Sequence, residues 1–211
     1  MTSSVPDITD LNIPGRDGTL TISNNRRSSF EREFPIVFIG KNSEIRKGIE
    51  SMHADLLATN GKYFDIKLSQ DPGYIYRGQF LDSFSVDYNV GEASSKVKLR
   101  FMPYKYLEQG LSERAVASGS TLVNLGNISA SPRITLTGSG DVTINGLSLK
   151  GVDKGIVLDT EAQTCTNLNG TETVFRKMHG DFLKLQPGSN KITWNNSNFT
   201  VKITPRWVVR I

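Results

Sequence analysis

Residues 121–149 read TLVNLGNISASPRITLTGSGDVTINGLSL, and the fold follows from how this stretch is parsed. Apolar residues mostly alternate with polar ones, as in Ile134-Thr135-Leu136 and Val142-Thr143-Ile144. That is the period of a strand with one buried face. The breaks fall at Gly126-Asn127, Ser131-Pro132, Gly138-Ser139-Gly140 and Asn145-Gly146. Gly and Asn accept positive φ, and Pro fixes φ while withholding a ladder hydrogen bond. The stretch is therefore expected to form two or three short antiparallel strands joined by tight hairpins. It opens an all-β second domain.

Downstream, Gly155-Ile156-Val157-Leu158-Asp159 continues the strand pattern, and a polar section around Cys165 follows. From Phe182 to Ile211 the β signal is continuous: Ile192 and Trp194 alternate, Asn195–Asn198 turns the chain, and Phe199, Val201 and Ile203 alternate again. Pro205 interrupts, and Trp207, Val209 and Ile211 make a last strand. Strands of this length and spacing predict a β-sandwich.

Upstream, residues 104–120 (YKYLEQGLSERAVASGS) hold no sustained apolar period. The junction belongs there, giving domains at 1–110 and 118–211. The first domain starts with a loose leader over residues 1–10. Pro14-Gly15-Arg16-Asp17-Gly18 is a strong hairpin-turn signal, with a strand continuing from Thr19 to Ile22. Arg32–Ile39 reads as a strand that Pro35 confines to an edge or bulge. Asn42 or Ser43 caps a helix to about Ala58, with Ile45, Ile49, Met52 and Leu56 on one face, Leu57 beside them, and Asn60-Gly61 as the stop. His53 borders the apolar stripe and is expected at the surface.

Phe64–Leu68 is a strand, followed by a turn at Gln70-Asp71-Pro72-Gly73. Tyr74–Val86 then reads as one long aromatic strand with Tyr74, Tyr76, Phe80 and Phe84 on one parity, and Lys96–Met102 returns after a turn at Asn89-Val90-Gly91. A long two-stranded arm here would pair with a neighbouring subunit, which makes Tyr74, Tyr76, Phe80, Phe84, Lys96 and Lys98 interface candidates. The same pattern equally fits two strands of the domain's own sheet.

The 211 residues carry a net charge of +4, with 37% hydrophobic and 22% charged residues, 19 Gly and 8 Pro. This suits a turn-rich globular protein. The alternating Lys96, Lys98 and Arg100 mark a solvated strand face, and no aromatic and basic platform accompanies them, so specific nucleic-acid binding is not expected. One cysteine, Cys165, excludes an internal disulfide and fits a reducing cytoplasm. The polar run after Met1 has no basic n-region and no apolar h-region, so no signal peptide is expected, and no apolar run approaches a membrane span. Four glycosylation-type triplets, at Asn127, Asn169, Asn195 and Asn198, then read as Asn-rich turns.

No chemistry converges. Gly138-Ser139-Gly140 is followed by Thr143, which breaks the dinucleotide fingerprint, and it lies between strands. Two histidines, His53 and His179, with one cysteine give no metal spacing. No nucleophile elbow is present, and Asp71, Asp82, Asp87, Asp141 and Asp153 stand singly near turns. The expectation is a non-enzymatic protein with no catalytic residues, no metal and no cofactor.

Ordered motifs over nearly the whole chain resemble the distal tail protein (Dit) family of long-tailed, non-contractile bacteriophages and prophages. They are Ile13-Pro-Gly-Arg-Asp-Gly-Thr-Leu20, Pro72-Gly-Tyr-Ile-Tyr-Arg77, Lys98-Leu-Arg-Phe-Met-Pro103, Asn124-Leu-Gly-Asn127 with Ser131-Pro-Arg-Ile-Thr135, Gly138-Ser-Gly140, Gly155-Ile-Val-Leu-Asp159, and the run from Gly180 to Trp194. The resemblance implies a mainly β chain with one helix: an N-terminal, tail-tube-like β-barrel domain and a C-terminal galectin-like β-sandwich. It also implies a homo-hexameric hub in the virion's tail tip or baseplate, assembled in the bacterial host cytoplasm. That hub would join the tail tube protein to tail fibre or receptor-binding proteins, with no membrane partner. Family members usually carry more sequence before the Gly-Arg-Asp-Gly motif, so an opening strand is expected to be missing or trimmed. No large insertion interrupts the second domain, so no extra arm for receptor-binding proteins is expected. From the residues themselves, a carbohydrate-binding sandwich is the alternative; Trp194 and Trp207 are expected to be buried, which counts against it.

Overall fold

The computed structural model describes residues 4–81 and 83–211. Asp82, one of the singly placed acids, lies outside the described residues, as do the first three residues of the expected loose leader. The chain divides into two compact units, 1–105 with Ile211 and 106–210. It is mainly β with one α-helix, as expected, and among the described residues no sheet closes into a barrel.

In the first unit the chain runs β1 (Pro6–Asn12), β2 (Thr19–Arg27), β3 (Phe30–Ile39), α1 (Asn42–Ala58), β4 (Phe64–Ile66), β5 (Tyr74–Gln79), β6 (Val86–Asn89) and β7 (Glu92–Leu107). The second half of the expected loose leader, residues 6–10, is thus strand. β1 and β2 pair only with each other, whereas β7 is the common neighbour of β3, β5 and β6. β7 alternates strictly at first: Ala93, Ser95, Val97, Leu99 and Phe101 are buried, and Glu92, Lys96 and Arg100 are exposed. Phe101 is the centre of the core. Phe30 stacks on it at 5.6 Å, Phe34 lies at 5.9 Å and Tyr76 meets it edge-on at 6.0 Å. Burying one such ring contributes roughly 1.5–3 kcal/mol. Pro35 sits opposite Lys96 on β3, an edge position where its missing N–H costs no ladder bond.

The expected single strand over residues 74–86 is two strands, β5 and β6. Phe80 leaves the ladder to pack in the core and meets Phe84 at 6.4 Å, which a flat extended strand would not allow for residues four apart. Gly78 marks the tightest point of β5: a Cβ there would lie 2.3 Å from Ile66 Cδ1. α1 lays Ile45 and Ile49 against Ala93, and Met52 and Leu56 against the Phe101 cluster. Its N-cap is Lys41 and not Asn42 or Ser43. The reason is that the Glu44 carboxylate reaches back to accept the Lys41 N–H at 3.3 Å. Asn60 and Gly61 stop the helix with positive φ.

The second unit contains β8 (Arg114–Val116), β9 (Thr121–Asn124), β10 (Arg133–Thr137), β11 (Gly140–Ile144), β12 (Leu147–Val152), β13 (Gly155–Asp159), β14 (Thr164–Asn167), β15 (Met178–His179), β16 (Gly188–Lys191), β17 (Thr200–Thr204) and β18 (Val208–Arg210). A five-stranded sheet is ordered β14-β13-β10-β17-β8 and a three-stranded one β11-β12-β15, while β9 pairs with β16. Cross-strand rows such as Cys165–Leu158–Ile134–Ile203 are entirely dry. Val142, Ile144, Leu147 and Leu149 of the smaller sheet are equally buried. Two one-sided sheets of this kind cover each other. The β signal expected to run from Phe182 begins later: the chain is irregular up to Pro187, tied by one bridge between Leu185 and Ala130.

Residues 121–149 hold parts of four strands, and only Asn145-Gly146 joins neighbours as a hairpin. β10 and β11 belong to different sheets, so Gly138-Ser139-Gly140 is a crossover and not the expected hairpin. Gly138 has φ +155, and a Cβ there would lie 2.7 Å from the Asn198 carbonyl oxygen. Turn chemistry and close approach ask for the same residue, and here the second demand applies.

Arg206, a non-glycine residue at φ +56, fastens this unit. Its guanidinium grips Asp159 through two bonds of 2.6 and 2.8 Å and reaches Glu161 at 3.3 Å, and Tyr106 donates to Glu161 at 2.8 Å. Burial alone would raise the Asp159 pKa. The Arg206 hydrogen bonds, the Ala162 and Glu161 N–H groups and the Arg206 charge outweigh burial and hold the carboxyl below its ordinary range. A lowered folded-state pKa gives stability that is complete above the unfolded value and lost as pH falls through the folded one. Asp159→Asn is therefore expected to be less stable than the parent at neutral pH. The gap should close below about pH 4, as read from urea midpoints across pH; a gap that persists in acid would assign the effect to packing.

The two tryptophans differ. Trp207 is 2% exposed, but Trp194 is only half-buried, which corrects the expectation that both are core residues. Trp194 bridges to Ile144 at the margin of the smaller sheet, where covering strands end. Trp207→Ala should cost about 3–5 kcal/mol in chemical denaturation, and Trp194→Ala clearly less.

Candidate assembly surface

The β1–β2 hairpin is built by alternation on both sides of the Pro14–Gly18 turn, in which Gly15 and Gly18 have positive φ. Register pairs Leu11 with Leu20 and Thr9 with Ile22, so Leu11, Leu20 and Ile22 share one face, and Ile13 continues it. The opposite face carries Asp10, Asn12, Thr19, Thr21 and Ser23, together with Ile8. Every one of the apolar residues is exposed, from 36% at Leu20 to 51% at Ile8, and Val5 at the base reaches 64%. An isolated two-stranded ribbon with an uncovered apolar face is marginal in water.

Polar contacts hold the ribbon in shape. Asp7 is paired with Arg26 and accepts from Asn24 at 3.2 Å, and those bonds lower its carboxyl pKa. Thr21 donates to Asp10 at 2.6 Å. A register shift between Pro6 and Ile8, with Asn25 at φ +54 opposite, bends the base. Arg27 Nε donates to Ser4 Oγ at 2.9 Å, and Ser4 in turn bonds Ile211 O at 2.6 Å, anchoring the ribbon where the unit is buried.

The residues singled out from the sequence lie elsewhere. Tyr76 and Phe80 are in the unit's own core, and Tyr74 and Phe84 are half-buried against it. Lys96 is exposed on the outer face of β7, and Lys98 pairs there with Glu31 at 2.7 Å, beside Arg100 at 3.1 Å. Tyr74 and Tyr76 form a cluster with Lys105, whose Nζ sits 3.7 Å over the Tyr74 ring and pairs with Asp71. Tyr76 also donates to Asp71; its own burial first, and then the Asp71 carboxylate, raise the phenol's pKa. This is internal bracing.

Leu11, Ile13, Leu20 and Ile22 were not singled out from the sequence. Their signal was the alternation flanking the turn, but alternation is identical for a strand on its own core and for one left open.

No polar set suited to catalysis accompanies this surface. Among the described residues no group of three or more His, Cys, Asp or Glu could hold a metal ion. Cys165 is fully buried, and burial pushes its thiol up to about 11.

No family model matches the sequence, and no curated protein matches it. Among solved structures the chain is similar to the SPP1 Dit (gp 19.1) protein, with a TM-score of 0.70 over 96% of this chain and 88% of that one, at 16% identity. A looser match, with TM-score 0.47 and 11% identity over 95% of this chain and 87% of the other, is to a chain of the phage p2 baseplate in its activated conformation with Sr. That score is below the level at which a shared fold can be argued. Across nearly its full length, the chain has the fold of SPP1 Dit.

Proposed function

We propose that this chain is a structural, non-enzymatic hub protein of a phage tail. Six copies form a ring through the first unit, and the ring joins the tail tube to baseplate, fibre or receptor-binding proteins in the virion. The observation that carries the reading is the β1–β2 ribbon, whose apolar face of Leu11, Ile13, Leu20 and Ile22 has no cover in its own subunit. A head-to-tail contact that repeats around a closed cycle covers every such face without an end subunit. The fold supports the same reading: SPP1 Dit is described as a paradigm of the hub adsorption apparatus in Gram-positive infecting phages.

The tube-like and galectin-like characters of the two units, the division at 1–110 and 118–211, and assembly in the host cytoplasm all belong to this proposal. In it, Lys96, with the half-buried Tyr74 and Phe84, is available for lateral contacts, while Tyr76 and Phe80 support the sheet from within.

Light scattering on the full chain is expected to give about six times the 23.3 kDa subunit mass. Leu11→Asp combined with Ile22→Asp should give monomers that keep the parent's circular dichroism spectrum, because both side chains are exposed in the subunit. Unaltered assembly of that double variant would remove the ribbon from the contact, and a monomeric parent would remove the ring.

A further inference from the structure

The second unit carries a concave surface built from none of the β1–β2 ribbon residues. It is an open trough of about 1070 Å³ whose lining includes Phe175, Phe182, Gln163, Asp181, Lys184 and Gln186. The two phenylalanine rings meet edge to face, with centroids 6.3 Å apart, and Phe175 is 47% exposed. A large aromatic ring left this open, next to a partner ring held at a fixed angle, is a ready contact surface.

Leu147 of β12 and Met178 of β15 also line it, at the end of a short ladder in which Ser148 pairs with His179 and Leu149 with Met178. The rim leaves the ladder at Gly180, φ +117, and runs irregularly through Lys184. Among the described residues Asp181 and Lys184 have no hydrogen-bond or ion-pair partner. Gln163 spends its amide N–H on Thr160 O, which leaves its carbonyl oxygen, and Gln186 spends its carbonyl on Ser129 Oγ, which leaves its NH₂. The trough thus offers donors and acceptors beside an aromatic face. Across the Asn145-Gly146 turn, which lines both, lies a second depression of about 400 Å³ containing Trp194, Thr143, Thr193 and Asn195.

We propose that this double depression binds an oligosaccharide of pyranose units. A pyranose presents a C–H face that packs on an aromatic ring and a rim of hydroxyls, each needing both a donor and an acceptor. The Phe175–Phe182 pair supplies the first, and Asp181, Lys184, Gln163 and Gln186 supply the second. The volume exceeds the usual 300–1,000 Å³ of a small-molecule site, giving room for more than one ring, and Trp194 provides a second platform. An extended peptide is a poorer fit, because strand addition needs a regular edge and the Gly180–Lys184 rim has none.

The proposal does not rest on the hub reading. The full chain is probed with linear tri- to hexasaccharides of glucose, galactose, N-acetylglucosamine and rhamnose, on an array and then by calorimetric titration. At least one series should bind with a millimolar or tighter Kd. Phe175→Ala and Asp181→Ala should each weaken that binding by about tenfold or more while the melting temperature stays unchanged, since both residues are exposed. Trp194→Ala should weaken hexasaccharides more than trisaccharides. The ribbon variant Leu11→Asp with Ile22→Asp should bind as the parent does, which separates this site from ring formation. No binding across the panel, or binding that survives Phe175→Ala and Asp181→Ala, overturns the proposal.

Discussion

A sheet buried on one side must keep its two residue parities apart, and β7 imposes that separation on the first unit. Its inward residues Ala93, Ser95, Val97, Leu99 and Phe101 are dry, while Lys96, Lys98 and Arg100 face water with Glu31. A one-residue slip would exchange the two sets, placing a triad of cations in the Phe101 cluster, a cost of many kcal/mol. β3, β5 and β6 are all registered against this single strand, so its alternation fixes theirs. The helix follows the same rule, since Ile45 and Ile49 have only the inward Ala93 region to cover.

The second unit meets the same constraint with two sheets, and there the sequence was partly legible. Ile134, Leu136, Ile156, Leu158, Val201 and Ile203 alternate in sequence and form the dry rows observed. What misled was glycine at the breaks. Gly138 looks like a hairpin turn, yet it is a crossing where the chain passes the Asn198 carbonyl. A turn and a close approach leave the same trace in a sequence, and only the partner, some sixty residues on, tells them apart.

The helix, the edge placement of Pro35 and the Asn60-Gly61 stop were readable because their causes are local: spacing, a missing N–H, positive φ. The exposed apolar ribbon was not. Tyr74–Val86 looked like an arm because it is aromatic and long, but Phe80 is a core residue and the ladder breaks around it. The exposed β1–β2 ribbon holds no aromatic residue and is interrupted by Asp7 and Asp10, so its hydrophobic content is modest. Exposure is decided by what else in the chain competes for that face, and no sequence window contains the competitor. For the same reason no sequence window marks the trough, whose Phe175 and Phe182 rings meet only in the fold.

The strand order of the second unit also dictates a timetable. β8 lies against β17, β9 against β16 and β10 against β17, so strands at the start of the unit wait for residues 188–204 to be made. In the first unit Ser4 waits even longer, for the Ile211 carbonyl. A ribosome therefore releases neither unit in finished form ahead of the other. Each unit completes its pairing only once its last residues are made, at the slow pace of distant strand pairing, with half-paired edges exposed meanwhile. Until then the open strand edges of the incomplete chain are the surfaces most exposed to aggregation.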